Sequence, residues 1–204
     1  MEMTSRNKTL TVNTMVKISI FSAMAGILMT VLKFPLPFAP TFMTVDFGDV
    51  PTLISGFALG PIAGIITVIL KNLINLMING TTTAYVGELS NIIVGSTFVG
   101  ISSIIYHRNK TRKNAAIGLV IGILAMSMLA TLSNYFVIFP LYAKMFGMPL
   151  EGFVKAVPAS NTFVKSYFDV MVFAVVPFNI VKGLFNALAT LAIYKYISSI
   201  FKKF

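Results

Sequence analysis

The chain has 204 residues, of which 56% are hydrophobic and only 11% are charged, and its formal net charge is +10. So few charged side chains could not cover a soluble protein of this size, which excludes a cytosolic enzyme or a nucleic-acid-binding domain and predicts a membrane protein. The 16 Lys and Arg residues against six Asp and Glu fit the positive-inside rule better than a nucleic-acid patch. With no Cys and one His, we expect no metal site and no cofactor.

The apolar segments predict an all-α membrane protein with six helices in a single domain, residues 1–204. Three of these helices lie in the first half of the chain. Helix 1 covers about Val16–Leu32. The proline-rich stretch Phe34–Thr44 cannot form a regular helix and is predicted to be an ordered outer loop. Helix 2 begins near Asp49–Pro51 and ends at Leu59-Gly60-Pro61, so its ~15 Å is too short to span a bilayer. Helix 3 covers about Ile62–Ile78.

The second half contains three further predicted helices: Val86–Tyr106, Ala115–Tyr142 and Val170–Ile200. Proline lacks a backbone N–H, so Pro140 should interrupt the fifth helix and Pro177 should disturb the sixth. Between these two helices, Ala143–Asp169 is the longest polar stretch and is predicted to be an irregular or partly helical outer loop.

The distribution of cations predicts the orientation in the cell membrane. Ten of them fall in the N-terminal segment, the connection between helices 4 and 5, and the C-terminal segment: Arg6, Lys8, Lys17, Arg108, Lys110, Arg112, Lys113, Lys195, Lys202 and Lys203. The opposite loops hold only Lys33, Lys144, Lys155 and Lys165. The positive-inside rule therefore predicts a multi-pass protein of the cell membrane with both termini in the cytoplasm.

Polar side chains inside the predicted helices are unusually numerous. Lys71, Glu88 and Lys182 lie at membrane depth, where an ionisable group needs a partner or a function. They are accompanied by six amides: Asn72, Asn75, Asn91, Asn134, Asn179 and Asn186. Helical spacing places several of these on common faces, as in Asn179, Lys182 and Asn186 at i, i+3 and i+7. Because lipid would not tolerate such stripes, we expect them to face inward.

Two interpretations of these stripes remain open. In the first, the amides and a Lys71–Glu88 contact hold the helices together. In the second, they line a cavity for an uncharged polar ligand, with Tyr85, Phe42, Phe47, Tyr135 and Phe178 available to enclose a flat ring. The sequence has no phosphate-binding loop and no catalytic motif, so we expect neither ATP hydrolysis nor enzymatic activity.

Several motifs resemble, in matching order, those of the riboflavin-specific S components (RibU type) of energy-coupling factor (ECF) transporters. They are Val45-Asp46-Phe47-Gly48-Asp49-Val50-Pro51, Gly60-Pro61-Ile62-Ala63-Gly64, Lys71-Asn72, Val86-Gly87-Glu88-Leu89-Ser90-Asn91, Leu132-Ser133-Asn134-Tyr135 and Pro177-Phe178-Asn179-Ile180-Val181-Lys182-Gly183. The resemblance implies six transmembrane helices with a capping outer loop, Phe34–Gly48, between helices 1 and 2. It also implies a subunit that captures riboflavin from outside and works with a transmembrane coupling protein and two ATPases.

The resemblance also implies which residues bind the ligand. Asn134, Asn179 and Lys182 match best, followed by Glu88 and Asn91, and the remaining candidates are Phe42, Thr44, Asp46, Phe47 and Tyr85. Riboflavin would be bound as a transported substrate and not as a cofactor, and flavin mononucleotide (FMN) and flavin adenine dinucleotide (FAD) stay open as further ligands. Small residues on helix 1, as Ser19-x-x-x-Ala23 or Ser22-x-x-x-Gly26, would dock on the coupling protein.

Three alternatives to a riboflavin subunit remain. An S component for another uncharged vitamin would share the architecture. A stand-alone carrier could couple transport to an ion gradient through Glu88. A membrane scaffold would bind no ligand, and purified protein would then show no flavin absorbance.

Overall fold

A computed structural model describes residues 11–81 and 83–201, with only the backbone described for residues 195–201. The elements in chain order are α1 (Val12–Val31), β1 (Lys33–Pro35), β2 (Thr44–Asp46), α2 (Asp49–Leu59), α3 (Pro61–Asn79), α4 (Val86–Arg108), α5 (Arg112–Ser133), a π turn (Asn134–Ile138), α6 (Phe139–Phe146), α7 (Gly152–Ala156), α8 (Tyr167–Val170), a second π turn (Met171–Val175) and α9 (Val176–Phe201). The cations Arg6, Lys8, Lys202 and Lys203, used above to predict orientation, lie outside the described residues.

The described residues form a mostly helical membrane protein, as the sequence predicted. Five helical paths are long and apolar enough to cross a membrane: Val12–Val31, Pro61–Asn79, Val86–Arg108, Arg112–Phe146 and Tyr167–Tyr194. The fourth path runs without a break through α5, the first π turn and α6, and the fifth runs through α8, the second π turn and α9.

The short helix α2 occupies the centre of the molecule. It packs against α1, α3, α4 and α9, and every residue from Asp49 to Phe57 is buried. Close packing requires small residues here, because a methyl group added to Gly64 of α3 would lie 2.8 Å from the Cα of Gly56 in α2. Its predicted bounds are confirmed: α2 ends at Leu59, where Gly60 has a φ of +112° and Pro61 begins α3.

The connection between α1 and α2, predicted to be an ordered loop, contains a short two-stranded hairpin. β1 and β2 pair antiparallel, with Phe34 opposite Val45 and Pro35 opposite Thr44. The tip of the hairpin, residues 36–43, forms two tight turns, in which Ala39 N–H donates to Leu36 O and Met43 N–H to Pro40 O. This pairing satisfies backbone N–H and C=O groups of the connection.

The two π turns lie two residues before prolines of the long helices. Asn134–Ile138 precedes Pro140, and Met171–Val175 precedes Pro177. The predicted interruption near Pro140 therefore takes the form of a local widening that leaves the helical path continuous. Such turns are rare and occur often at functional sites.

Candidate functional site

A cavity lies beneath the hairpin, and its other walls come mainly from α4, the first π turn with α6, and α9. Eight of the ten predicted ligand-binding residues line it: Phe42, Thr44, Asp46, Glu88, Asn91, Asn134, Asn179 and Lys182. The hairpin and α4 contribute five of these residues, the fourth helical path contributes Asn134, and the fifth contributes Asn179 and Lys182. The structure brings together side chains that are separated by more than 100 residues of sequence.

Four buried charges form a network at the floor of this cavity. Lys182 Nζ donates to Asp46 Oδ2 at 2.8 Å, and Lys71 Nζ donates to Asp49 Oδ1. Each lysine also lies 3.9 Å from the other aspartate, so the two pairs form one alternating quartet. All four side chains are at most 8% exposed. The network joins the hairpin base and α2 to α3 and α9 while adding no net charge.

The network keeps Asp46 ionised although it is buried. Burial alone disfavours the carboxylate, but the ammonium groups of Lys182 and Lys71 and the backbone N–H of Gly48 stabilise it. Together they hold the pKa of Asp46 below its ordinary value. The amine of Lys182, which lines the cavity, is held in position by its hydrogen bond to Asp46.

The lysine partners differ from one contact considered in the sequence. Lys71 pairs with Asp49 and Asp46, whereas Glu88 accepts hydrogen bonds from Thr83 at 2.9 Å and Thr81 at 3.3 Å. The suggested Lys71–Glu88 contact is therefore absent from the described residues: Lys71 pairs with the aspartates, and Glu88 bonds to the threonines. Asp49 was noted in the sequence only as an acid at the start of a helix, and its place in the network depends on where α2 packs.

Two asparagines in the cavity wall have the same local geometry. Asn134 Nδ2 donates to Ala130 O at 2.7 Å, and Asn179 Nδ2 donates to Val175 O at 2.8 Å, each one helical turn earlier. These bonds fix the orientation of both amides and use one of the two N–H groups of each. The remaining N–H and the carbonyl oxygen of each amide can bind a polar ligand edge.

The first π turn also explains lining residues that the sequence did not single out. In a regular helix, residue 138 would follow Asn134 on the same face. The π turn adds a residue per turn and so places Phe139 in the cavity wall as well. Phe139 stacks on Phe153 at 4.4 Å between ring centroids, and Phe42 approaches Phe139 at 6.0 Å. Prolines inside apolar helices are the sequence signal that could have indicated this shift.

The structure places two predicted ligand-binding residues elsewhere. Phe47 packs its ring edge against Phe185 at 6.3 Å between centroids, away from the cavity wall. Tyr85 is 63% exposed and adopts a left-handed conformation, with a φ of +68°, just before α4. Both residues were suggested as aromatic side chains that could enclose a flat ring, but neither lines the cavity in the described structure.

The small residues predicted to dock a partner fall on two faces of α1. Ser19 and Ala23 are exposed, while Ser22 and Gly26 are buried. A methyl group added to Gly26 would lie 2.5 Å from Ile74 Cγ2, so this glycine permits α1 to approach α3. The exposed register is therefore Ser19-x-x-x-Ala23.

Residues 13–194 match the family described as ECF transporter, substrate-specific component. The chain belongs to this family. The prediction from the sequence motifs is thereby confirmed, and so is the expectation of a transport component in place of an enzyme.

Similar proteins support the same assignment. The riboflavin transporter RibU of Staphylococcus aureus (strain TCH60) is 34% identical over 93% of this chain and 92% of its own. The riboflavin transporter FmnP of Bacillus subtilis (strain 168) is 31% identical over 85% of each chain. A solved structure of the S component of a bacterial ECF transporter is 31% identical, with a TM-score of 0.72 over 93% of this chain and 98% of that one.

Proposed function

We propose that this S component binds riboflavin in the cavity beneath the hairpin and delivers it inward when coupled to ECF partners. Relatives that are 34% and 31% identical are named riboflavin transporters, and each matches at least 85% of this chain. The observation that carries the proposal is the wall formed by Asn134, Asn179 and Lys182, whose amides and amine can pair with the imide edge of a flavin. Glu88 and Asn91 lie where a polyol tail could donate hydrogen bonds.

The architecture and orientation of the proposed subunit follow the sequence interpretation. Its six helices are the five long paths and α2, and the hairpin region Phe34–Gly48 caps the cavity as a lid. The cation distribution supports cytoplasmic termini, with the lid on the outer side. As a substrate-specific component of an ECF transporter, the subunit receives energy from a transmembrane coupling protein and two ATPases.

Purified protein should show the flavin absorbance bands or, after extraction of endogenous ligand, quench added riboflavin fluorescence stoichiometrically. Aromatic contacts with the bound ring quench its emission, so titration reports binding directly. Parallel titrations with FMN, FAD and unrelated uncharged vitamins measure selectivity. Saturable binding of another vitamin without riboflavin binding would assign the cavity to that vitamin, and no binding of any would favour a scaffold.

We further propose that the exposed face with Ser19 and Ala23 docks on the coupling protein. Ala23→Leu should then lower riboflavin uptake in cells that have the coupling partners, because bulk on this face prevents close helix approach, while binding in detergent is retained. Gly26→Leu is the matched internal variant and should impair folding by overlap with Ile74.

Normal uptake by Ala23→Leu would remove this face from the docking surface. Uptake by the purified chain alone in liposomes, driven by an ion gradient, would instead support a carrier coupled through Glu88 and would contradict the requirement for partners.

A further inference from the structure

The outer segment between α6 and α8, residues 147–166, contacts the lid through hydrogen bonds from Asn161 and Ser160 and through the ring of Phe153, which lies 6.3 Å from the ring of Phe42. Asn161 Nδ2 donates to Phe38 O in the hairpin tip and to Phe173 O in the second π turn, each at 3.0 Å. The adjacent Ser160 Oγ donates to Pro37 O at 2.8 Å. These contacts connect residues that are 123 positions apart in the sequence.

The carbonyl of Phe173 lies at a break in the backbone hydrogen-bond series of the fifth helical path. Val176 N–H donates to Met171 O, five residues earlier, and Pro177 has no N–H to continue the series. Asn161 Nδ2 supplies a donor from outside the helix to Phe173 O at 3.0 Å. This hydrogen bond ties the segment before α8 to the π turn that precedes Asn179.

The first π turn is satisfied in the same way. Phe139 N–H donates to Asn134 O, and the next carbonyl of that series, from Tyr135, would need the missing N–H of Pro140. Tyr167 Oη donates to Tyr135 O at 2.8 Å instead. Both π turns thus receive a side-chain donor from elsewhere in the chain, Tyr167 of α8 and Asn161 of the segment before it, and Asn161 also bonds to the hairpin tip.

The position of Asn161 is fixed by its own backbone. Its N–H donates to Pro158 O at 2.9 Å, and its carbonyl accepts from Val164 N–H at 3.4 Å, so it joins two consecutive turns. The hairpin tip that it contacts also packs on α9, where Ala39, Val45 and Phe178 form a buried apolar cluster. The lid is consequently held by apolar contact from below and by hydrogen bonds from the side.

We propose that Asn161, assisted by Ser160, is a positioning residue that latches the hairpin tip over the cavity and controls how slowly the ligand leaves. The ligand part of this inference rests on the proposed riboflavin function. Opening the lid breaks the bond to Phe38 and leaves the bond to Phe173 intact, so the latch remains in place on the second π turn and can close again.

The Asn161→Ala variant should raise the dissociation rate of riboflavin about fivefold or more, measured by stopped-flow fluorescence, because a typical hydrogen bond contributes about 1 kcal/mol. The association rate should change by less than about twofold, since most affinity changes act on dissociation. Thr162→Ala, at the exposed next position, is the matched control and should match the unaltered protein. Without ligand, amide exchange in residues 38–43 should increase in Asn161→Ala while exchange in α4 stays unchanged.

A double-cysteine variant tests the latch even where Asn161→Ala folds poorly. The chain has no Cys, so Pro37→Cys with Ser160→Cys offers one pair for a short thiol cross-linker. Cross-linking should slow both riboflavin entry and riboflavin exit relative to the same variant without the cross-linker.

Equal rates with and without the cross-linker would overturn the latch. So would a folded Asn161→Ala variant in which riboflavin dissociation and amide exchange in residues 38–43 are both unchanged. If the unaltered protein binds no riboflavin, the proposed function fails, and the exchange comparison without ligand still decides whether Asn161 holds the lid.

Discussion

The Lys71→Met variant is expected to lose about 3–5 kcal/mol of unfolding free energy, because the buried carboxylate of Asp49 loses its nearest ion-pair partner and keeps only Lys182 at 3.9 Å. Lys71 is only 2% exposed, so water cannot replace the lost amine. Denaturant titration in detergent micelles, followed by far-ultraviolet circular dichroism, measures the loss without a Trp signal, which this chain lacks.

Two further variants separate lost charge pairing from lost packing. Lys144→Met removes an exposed lysine and should change stability by less than about 0.5 kcal/mol. Lys71→Met combined with Asp49→Leu removes both charges and should recover most of the loss, since Asp46 and Lys182 still pair at 2.8 Å. If the double variant is as unstable as Lys71→Met, the loss comes from packing and not from the unpaired charge. If Lys71→Met is as stable as the unaltered protein, the ion-pair network does not contribute to stability.

The second large effect is expected on riboflavin affinity. Asn179→Ala should raise the Kd about 5- to 150-fold, the range for losing about 1–3 kcal/mol when a buried ligand group is left unpaired. Stability should change little, because Val175 O keeps its helical backbone partner after the amide is removed. Fluorescence quenching measures the affinity, and thermal unfolding of the same samples measures folding.

Asn72→Ala is a close control for this variant. Asn72 is buried like Asn179 and makes the same one-turn hydrogen bond, to Val68 O at 2.8 Å, but lies outside the cavity wall. Its removal should leave riboflavin affinity unchanged. Lys182→Met should weaken both binding and folding, because Asp46 loses its nearest partner. Equal affinity in Asn179→Ala and Asn72→Ala would exclude Asn179 from the binding site.

Helix bounds were predictable where glycine and proline fix the backbone. α2 begins at Asp49 and ends before Gly60-Pro61, as the sequence indicated, because an acid suits a helix start and Gly60 needs a positive φ. The inward direction of Asn179, Lys182 and Asn186 was also predictable, and the structure confirms it because all three residues are buried. Helical periodicity and the cost of polar groups in lipid determine both features.

Tertiary pairing was not predictable from these local rules. The partner of Lys71 depends on α2 packing between α3 and α9, which brings Asp49 to it and leaves Glu88 to Thr83. Pro140 and Pro177 indicated local irregularity, but the π turns require external donors, Tyr167 and Asn161, whose positions depend on the outer segment. The burial of Gly26 likewise depends on which face of α1 meets α3.

The length of α2 sets the depth at which a solute is held. Its 11 residues rise about 16 Å, roughly half of a hydrocarbon layer about 30 Å thick. Because α2 fills only about half of that thickness, we expect the hairpin base and the cavity to occupy the rest, where irregular backbone is tolerated if it lines a polar space. For a solute bound in the proposed cavity, we therefore expect the barrier to the far surface to be the thickness of one short, enclosed helix.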